Sequence, residues 1–269
     1  TEMKLVAIKL TFFYLCLITI SLMLVFQSVA KVDLKSAVAV WLFDEGSGDD
    51  AKDFTGNGND GKLINGPEWV EGKFGKALKF DGIDDCVDVS SQNGFPKGSD
   101  ARTISLWFKW SEIKWPSPGV EIMGYGTNSN SQRLGIWIDS SHALGIETCN
   151  YGRVFSWDGD TNWHHLVAAY PEGETKTDKF KLYFDGVLQA GKDIQSIQTL
   201  NTSSKPLAIG VLPDPKVYYF NGIIDEVAIF GEELSGDDIK GIMRGGVLNA
   251  SAVSPSDKLT ISWGRIKAQ

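Results

Sequence analysis

The sequence predicts an all-β fold in which two antiparallel sheets pack face to face. Aromatic and β-branched residues occur in short alternating runs, and clusters of Gly, Asn, Asp and Pro separate these runs. Only one segment has the spacing of an amphipathic helix. No internal repeat, low-complexity tract or long linker divides the chain, so residues 31–269 are interpreted as one domain.

The alternating runs give the predicted strands. Thr103 to Trp110 is the clearest, because an apolar side chain falls on every second residue. Trp163 to Tyr170 and Lys179 to Asp185 form a predicted hairpin pair, and Asp185-Gly186 marks a tight turn after it. The other predicted strands are 37–43, 78–80, 86–89, 121–125, 133–138, 143–148, 206–210 and 223–230, with a last strand or tail at 257–266.

One helix is predicted, from Leu234 to Met243. Ile239, Ile242 and Met243 fall on one face, and Ser235 is placed as an N-cap. Internal glycines lower the helix propensity, so we expect a single short helix that covers the sandwich.

The first thirty residues have the pattern of a signal peptide. Lys4 and Lys9 precede the apolar run from Leu10 to Phe26, and small residues end the segment at Ala30. The run is shorter than the roughly 20 residues that a membrane-spanning helix needs, and no other stretch of the sequence is as apolar. We predict cleavage after Ala30 and a secreted, extracellular or periplasmic chain; a retained N-terminal anchor is the alternative.

Charge restricts the class of partner. Loss of the signal peptide, with Lys4, Lys9 and Glu2, takes the net charge from −8 to −9. The absence of a basic patch argues against nucleic acid as a partner. An acidic surface agrees with cation binding and with solubility, and does not decide between them.

Two similar acidic segments lie far apart in the chain. Phe80 to Asp85 carries three carboxylates in a turn between two strands, and Gly222 to Phe230 carries Asp225 and Glu226 in an alternating strand. Carboxylates this close repel one another unless a cation or hydrogen-bond donors offset their charge. Both segments are therefore candidate sites.

Segments along most of the chain resemble the LamG-like (laminin G-like, concanavalin A-like) jelly-roll family of the secreted bacterial type. They occur in the family's order, at 39–48, 53–62, 75–82, 163–168, 182–186 and 222–230, and include the motifs G-x-A-L-x-F-D-G and W-H-H. The resemblance implies a two-sheet antiparallel jelly-roll sandwich, a structural calcium ion, and carbohydrate or protein binding. The sequence departs from the family at Cys86, where an aromatic residue is usual.

The calcium ion that the resemblance implies takes about six to eight oxygen ligands. The Asp53 to Gly61 loop supplies carboxylate and amide oxygens, and the first and last strands of a jelly roll are neighbours. The expected ligands are therefore Asp44, Asp53, Asn57 and Asp225, together with loop carbonyls. The alternative is an Asx-rich turn that hydrogen-bonds to itself.

A possible second metal site is expected at Asp81, Asp84 and Asp85. This turn has two alternative roles: it orients a sugar, or it only ends two strands.

Cys86 and Cys149 are the cysteines that follow the signal peptide. An oxidising compartment allows a disulfide between them, and the departure of Cys86 from the family pattern makes that disulfide worth expecting. Two buried free thiols are the alternative.

Sugar-binding sites commonly use aromatic platforms. The candidate glycan-binding residues lie in or beside predicted loops, with Arg133 as a hydrogen-bond donor to hydroxyls: Trp115, Tyr125, Arg133, Tyr151 and Trp157. The alternative is that the aromatic residues cover a wide sandwich and that Arg133 is a solvated strand residue.

Catalytic patterns are missing from the sequence. A retaining glycosidase needs two carboxylates about 5 Å apart, and the E-x-D-x-x-E and E-x-D-x-E spacings of the β-glucanases that share this fold do not occur. The three histidines form no triad with Ser or Cys. The chain is therefore predicted not to be an enzyme.

Together these features predict a secreted, non-catalytic, lectin-like module that binds an extracellular glycan and holds a structural Ca²⁺. The first alternative is a protein-interaction or adhesion domain that binds a cell-surface protein. The second is a divergent glycoside hydrolase or lyase.

Overall fold

The computed structural model describes residues 32–111, 118–129, 131–149 and 151–250. They form two large antiparallel sheets with a core between them, which confirms the predicted jelly-roll sandwich. The predicted signal peptide, Trp115 and the predicted tail at 257–266 lie outside the described residues.

The first sheet has eight strands in the order β14-β13-β12-β7-β19-β5-β4, and β1 pairs with β19. Numbered along the chain, its strands are β1 (Ala37–Trp41), β4 (Glu68–Glu71), β5 (Lys76–Asp81), β7 (Arg102–Trp110), β12 (Trp163–Tyr170), β13 (Lys181–Phe184), β14 (Val187–Leu188) and β19 (Asn221–Phe230). The pairing of β1 with β19 confirms that the first and last strands are neighbours.

The second sheet has nine strands in the order β15-β11-β10-β9-β8-β16-β6-β3-β2. These are β2 (Asp50–Ala51), β3 (Gly61–Ile64), β6 (Cys86–Val89), β8 (Gly119–Gly126), β9 (Arg133–Asp139), β10 (Ala143–Glu147), β11 (Tyr151–Ser156), β15 (Lys192–Gln195) and β16 (Leu207–Ile209). A small hairpin of β17 (Leu212–Pro213) and β18 (Lys216–Val217) follows β16.

The core forms where the alternation of each strand turns apolar side chains inward. On β7, Ile104, Leu106 and Phe108 all lie in the core. They are joined by residues of the nine-stranded sheet such as Leu134 and Ile136. Strands β3 and β4 were not predicted, because they are half polar and carry no alternation long enough to detect. Strand β11 was not predicted either, because Tyr151 was assigned to a loop.

The helical segment α1 (Gly236–Ala250) extends beyond the predicted helix and is kinked at Gly246, whose φ of 77° and ψ of 170° are not helical. Ser235 and Asp238 form a reciprocal capping box, in which the Asp238 amide donates to Ser235 Oγ and the Ser235 amide donates to Asp238 Oδ2. Ile239 and Ile242 pack in a cluster with residues on the outer face of the eight-stranded sheet, as expected for a covering helix. Within the described residues no helix is long and apolar enough to cross a membrane.

The expected disulfide between Cys86 and Cys149 is not formed, and both residues are free thiols. Cys86 lies on β6 and Cys149 follows β10, and three strands of the same sheet separate β6 from β10. At about 4.8 Å per strand the two lie about 19 Å apart, whereas a disulfide needs Cα atoms within about 7 Å. Burial raises the pKa of the Cys86 thiol.

Candidate functional site

Asp53 of the predicted calcium set is held by hydrogen-bond donors. Its Oδ1 accepts from the amides of Val40 and Thr55 and from Thr55 Oγ1, at 3.2, 3.0 and 2.7 Å. Its Oδ2 accepts from the Asn59 amide at 3.1 Å. These donors occupy both oxygens of a buried side chain, so the contacts of Asp53 are those of the self-bonded Asx turn.

Asn57 and Asn59 tie the same loop to β1. Their side-chain amides both donate to the Val38 carbonyl at 3.0 Å, which turns Nδ2 and not Oδ1 toward the strand. Asn59 Oδ1 accepts from the Asn93 amide at 2.7 Å. The loop thus closes on the sandwich through its own amides.

Asp225 and Asp44 lie near a different segment, the turn between β4 and β5. Asp225 Oδ2 accepts from the amides of Lys73 and Phe74, and Asp44 Oδ1 accepts from the amide of Lys76. Asp225 Oδ1 is buried without a hydrogen-bond partner, and burial raises the pKa of Asp225 to about 8. Among the described residues, the structure does not gather Asp44, Asp53 and Asp225 into a convergent carboxylate group.

The second predicted set does converge. Carboxylate oxygens of Asp81, Asp84 and Asp85 lie within 4.8 Å of one another in the turn between β5 and β6. The turn is fixed by Asp81 Oδ1, which accepts from the Ile83 amide at 2.8 Å, and by Asp85 Oδ2, which accepts from the Asp81 amide at 3.0 Å. Burial, followed by the neighbouring carboxylates, raises the pKa of Asp85. None of the ion pairs of the described residues brings a basic side chain to this turn.

A groove lies beside this turn, which we name the Trp69 groove. It is lined by residues 46–49, Leu63 and residues 65–69, and has a volume of about 790 Å³, within the usual range for ligand sites. Its two walls are tied together, because Trp69 Nε1 donates to the Gly48 carbonyl at 3.0 Å and the Leu63 amide donates to the Asp49 carbonyl at 2.9 Å. Asn65 Nδ2 donates to the Asp84 carbonyl at 2.9 Å, which joins the groove to the acidic turn.

The residues at the tips of both walls require left-handed backbone. Gly46, Gly48 and Gly66 have φ of 69°, 85° and 107°, and Asn65 has φ of 65°, which glycine and asparagine accept more readily than other residues. Trp69 is half-buried, packs partly against the core and turns the remainder of its ring to the groove. This groove was not predicted from the sequence; its signal was the turn Asn65-Gly66-Pro67, which one residue separates from Trp69.

The predicted aromatic platforms do not line a surface. Tyr125 and Tyr151 are fully buried and Trp157 is 8% exposed, so the expectation that they lie exposed in loops is wrong. The hydroxyl of Tyr125 accepts from Arg102, that of Tyr151 donates to Asp193, and Trp157 stacks on Trp110. All three close the interior of the wide sandwich, which was the alternative interpretation.

Arg133 is neither solvated nor free to bind a sugar. Its Nη1 lies 2.7 Å from Glu121 Oε2 and its Nη2 lies 3.0 Å from Glu147 Oε2. Glu121 lies against Gly124 and Gly135, where any side chain would overlap its carboxylate. Burial raises the pKa of Glu121 to about 8 despite the attraction of Arg133.

Comparison with known proteins places the fold among both enzymes and binding domains. No curated protein sequence matches the chain significantly. Domain 4 of AbnA, a GH43 extracellular arabinanase from Geobacillus stearothermophilus solved with arabinotriose, is 18% identical with a TM-score of 0.57, and the match covers 78% of this chain and 98% of that domain.

Two further structures are similar at lower identity. Trypanosoma rangeli sialidase in complex with sialic acid is 15% identical with a TM-score of 0.58, over 78% of this chain and 33% of the sialidase chain. The receptor binding domain of botulinum neurotoxin D is 14% identical with a TM-score of 0.57, over 77% of this chain and 52% of that domain. These likenesses show the fold alone.

The sequence profile described as the concanavalin A-like lectin/glucanases superfamily matches residues 81–240, more than half of the chain. That match includes the acidic turn, β7, β12 and β19, around which the eight-stranded sheet is built. The chain therefore belongs to the concanavalin A-like lectin/glucanases superfamily.

Proposed function

We propose that this chain is a secreted, non-catalytic module that binds an extracellular carbohydrate in the Trp69 groove. The observation that carries the proposal is the combination of a half-buried indole with polar rim groups in one groove. An indole face stacks on the apolar face of a sugar ring, and the side chains of Asp49, Asn65 and Glu68 offer partners for its hydroxyls.

The Asp81, Asp84 and Asp85 turn supports calcium binding beside the groove. Carboxylates are the ligands that Ca²⁺ prefers, and three of them converge here without a basic neighbour. We propose this turn as the calcium site in place of Asp53 and Asn57, whose groups are held by the hydrogen bonds of their own loop.

The environment of Glu121 and Glu147 supports a binding role over catalysis. Arg133 holds both carboxylates, and Glu121 has no exposed surface, so no substrate reaches it in this arrangement. A glycosidase needs both of its carboxylates open to the scissile bond.

A glycan array screened with residues 31–269, in calcium and again in chelator, tests the proposed function. We expect glycan binding that Trp69→Ala weakens by about tenfold, by analogy with the stacking of a nucleic-acid base on one aromatic ring, which contributes about 1–3 kcal/mol. Trp163→Ala is the matched control, because Trp163 is also half-buried at a strand and lies outside the groove.

Circular dichroism of each variant confirms that it is folded before binding is compared. Equal binding by the wild type and Trp69→Ala would place the site elsewhere. No binding of any glycan by the folded protein would refute carbohydrate binding and favour the protein-interaction alternative.

A further inference from the structure

We infer that the Trp69 groove selects neutral or amino-bearing sugars and rejects sugars that carry a carboxylate or sulfate. The inference rests on the proposed function and adds the chemical class of ligand. It follows from the charges on the groove walls and from the ion pairs that the surrounding lysines form.

The groove lining carries acids and no base. Asp49 and Glu68 lie on opposite walls, and the remaining lining residues are uncharged, with no Lys, Arg or His among them. Ionised carboxylates only accept hydrogen bonds. They therefore bind sugar hydroxyls and ammonium groups, and they repel an anion brought into the same cavity.

The lysines nearest the groove are already paired with carboxylates, one of which, Glu68, belongs to the groove itself. Lys79 Nζ lies 3.0 Å from Glu68 Oε2. Lys76, whose side chain approaches Gly46, pairs with Glu71. Lys62, which precedes the wall residue Leu63 on β3, pairs with Asp50. An anionic sugar would have to take a lysine away from one of these carboxylates, which leaves that carboxylate unpaired.

The acidic turn adds negative charge at the Asn65 end. Asn65 is bonded to the Asp84 carbonyl, so the Asp81, Asp84 and Asp85 carboxylates lie next to that wall. A bound calcium ion would reduce this repulsion and could itself attract an anionic group. The preference intrinsic to the groove is therefore measured in chelator.

The test compares sugars that differ only in charge. Methyl glycosides of glucose, glucosamine and glucuronic acid, and of galactose, galactosamine and galacturonic acid, keep the ring and change one substituent. Together with the neutral, amino, uronate, sialylated and sulfated glycans of the array, they are measured in chelator at low and at high salt. We expect the neutral and amino forms to bind, and the uronate to bind roughly fivefold more weakly for each groove carboxylate it faces at low salt.

Two changes test whether the sugar preference is caused by charge or by shape. Asp49→Asn with Glu68→Gln keeps the size of both side chains, and we expect it to bring uronate and neutral sugars to similar affinity. High salt is expected to shrink the same difference in the wild type, because it screens exposed charges. Glu233→Gln is the matched control, since Glu233 and its ion-pair partner Lys181 both lie outside the groove and its loss should leave the preference unchanged.

The outcomes distinguish this inference from the proposed function. Uronate or sulfated glycans that bind as well as neutral ones, and lose binding in Trp69→Ala, would overturn the charge preference while keeping carbohydrate binding. A preference that persists in Asp49→Asn with Glu68→Gln would also overturn it. Absence of any glycan binding would overturn both.

Discussion

At the scale of single residues, the role of a carboxylate depends on which hydrogen-bond donors contact it. Asp53 and Asp84 have the same side chain, and both stand in loops rich in Asp, Asn and Gly. Four donors from two segments converge on Asp53, whereas the side chain of Asp84 is exposed beside two other acids. Residue type alone does not separate a turn-forming carboxylate from a candidate ligand.

Asp53→Ala is expected to destabilise the fold by about 3 kcal/mol, because several donors would lose their partner and buried amides without a partner cost about 1–3 kcal/mol each. Urea unfolding measures the change in the free energy of unfolding. Glu71→Ala is the control, since its carboxylate is 82% exposed in one ion pair and should contribute less than about 1 kcal/mol. A stability loss no larger than that of the control would show that the Asp53 network is dispensable.

Histidine burial gives a second comparison at this scale. The alternation of β12 places His164 against Phe108, Trp157 and Phe184 and turns His165 to the opposite face, and both histidines are buried. His164 lies between Asp160 and Asp185, and its hydrogen bonds to these carboxylates raise its pKa against the opposing effect of burial. His165 contacts Ser105 and Trp107, and burial lowers its pKa to about 3.

At the scale of elements, the turn between β5 and β6 behaves as a unit. Strand pairing fixes both of its ends, because β5 pairs with β19 and β6 pairs with β3. Backbone amides inside the turn then hold Asp81 and Asp85 in place. The turn is therefore organised before any ion binds, which lowers the ordering cost of binding.

Calcium is expected to raise the thermal unfolding midpoint of the wild type, because a ligand that binds only the folded state stabilises it. Asp84→Asn removes one charge from the turn and should abolish most of the shift. Asp53→Asn, outside the turn, should retain the full shift even if its baseline stability falls. A shift retained in Asp84→Asn and lost in Asp53→Asn would return the site to the loop at 53–61.

At the scale of the whole molecule, the two-sheet sandwich is large enough to bury carboxyl groups inside it. Glu121 and Asp225 are fully buried on strands of the two different sheets, and burial raises the pKa of each to about 8. A buried carboxyl group with a raised pKa couples folding to pH, because the folded chain keeps a proton that the unfolded chain releases.

We expect the free energy of unfolding to fall as pH rises from about 4.5 to about 8, with Glu121 contributing about 1.4 kcal/mol per pH unit. The raised folded-state pKa means that the contribution is complete below the ordinary value of 4.5 and is lost as pH passes through 8. Chemical unfolding at several pH values measures the slope. Glu121→Gln should make it less steep by the share of Glu121 and leave the contribution of Asp225, and identical slopes in both proteins would contradict the assignment.

The strands and the helix cap were predictable from the sequence because their causes are local, whereas the adjacency of the first and last strands was expected from the family resemblance. Alternation in Thr103 to Trp110 sets the two faces of β7, and Ser235 with Asp238 closes a cap three residues long. These features need no knowledge of distant partners. The same rules missed β3 and β4, whose pairing depends on neighbours supplied by other strands.

The candidate site followed from contacts between segments far apart in the chain. Trp69 reaches Gly48, Asn65 reaches Asp84, and Asp225 reaches the Lys73 and Phe74 amides. The folded chain determines which carboxylates accept hydrogen bonds from these donors. It also determines which aromatic rings are buried by the second sheet and which tryptophan lines the groove. Local periodicity sets the direction in which a side chain points. Its exposure to solvent and its hydrogen-bond partners are set by the segments that pack against it.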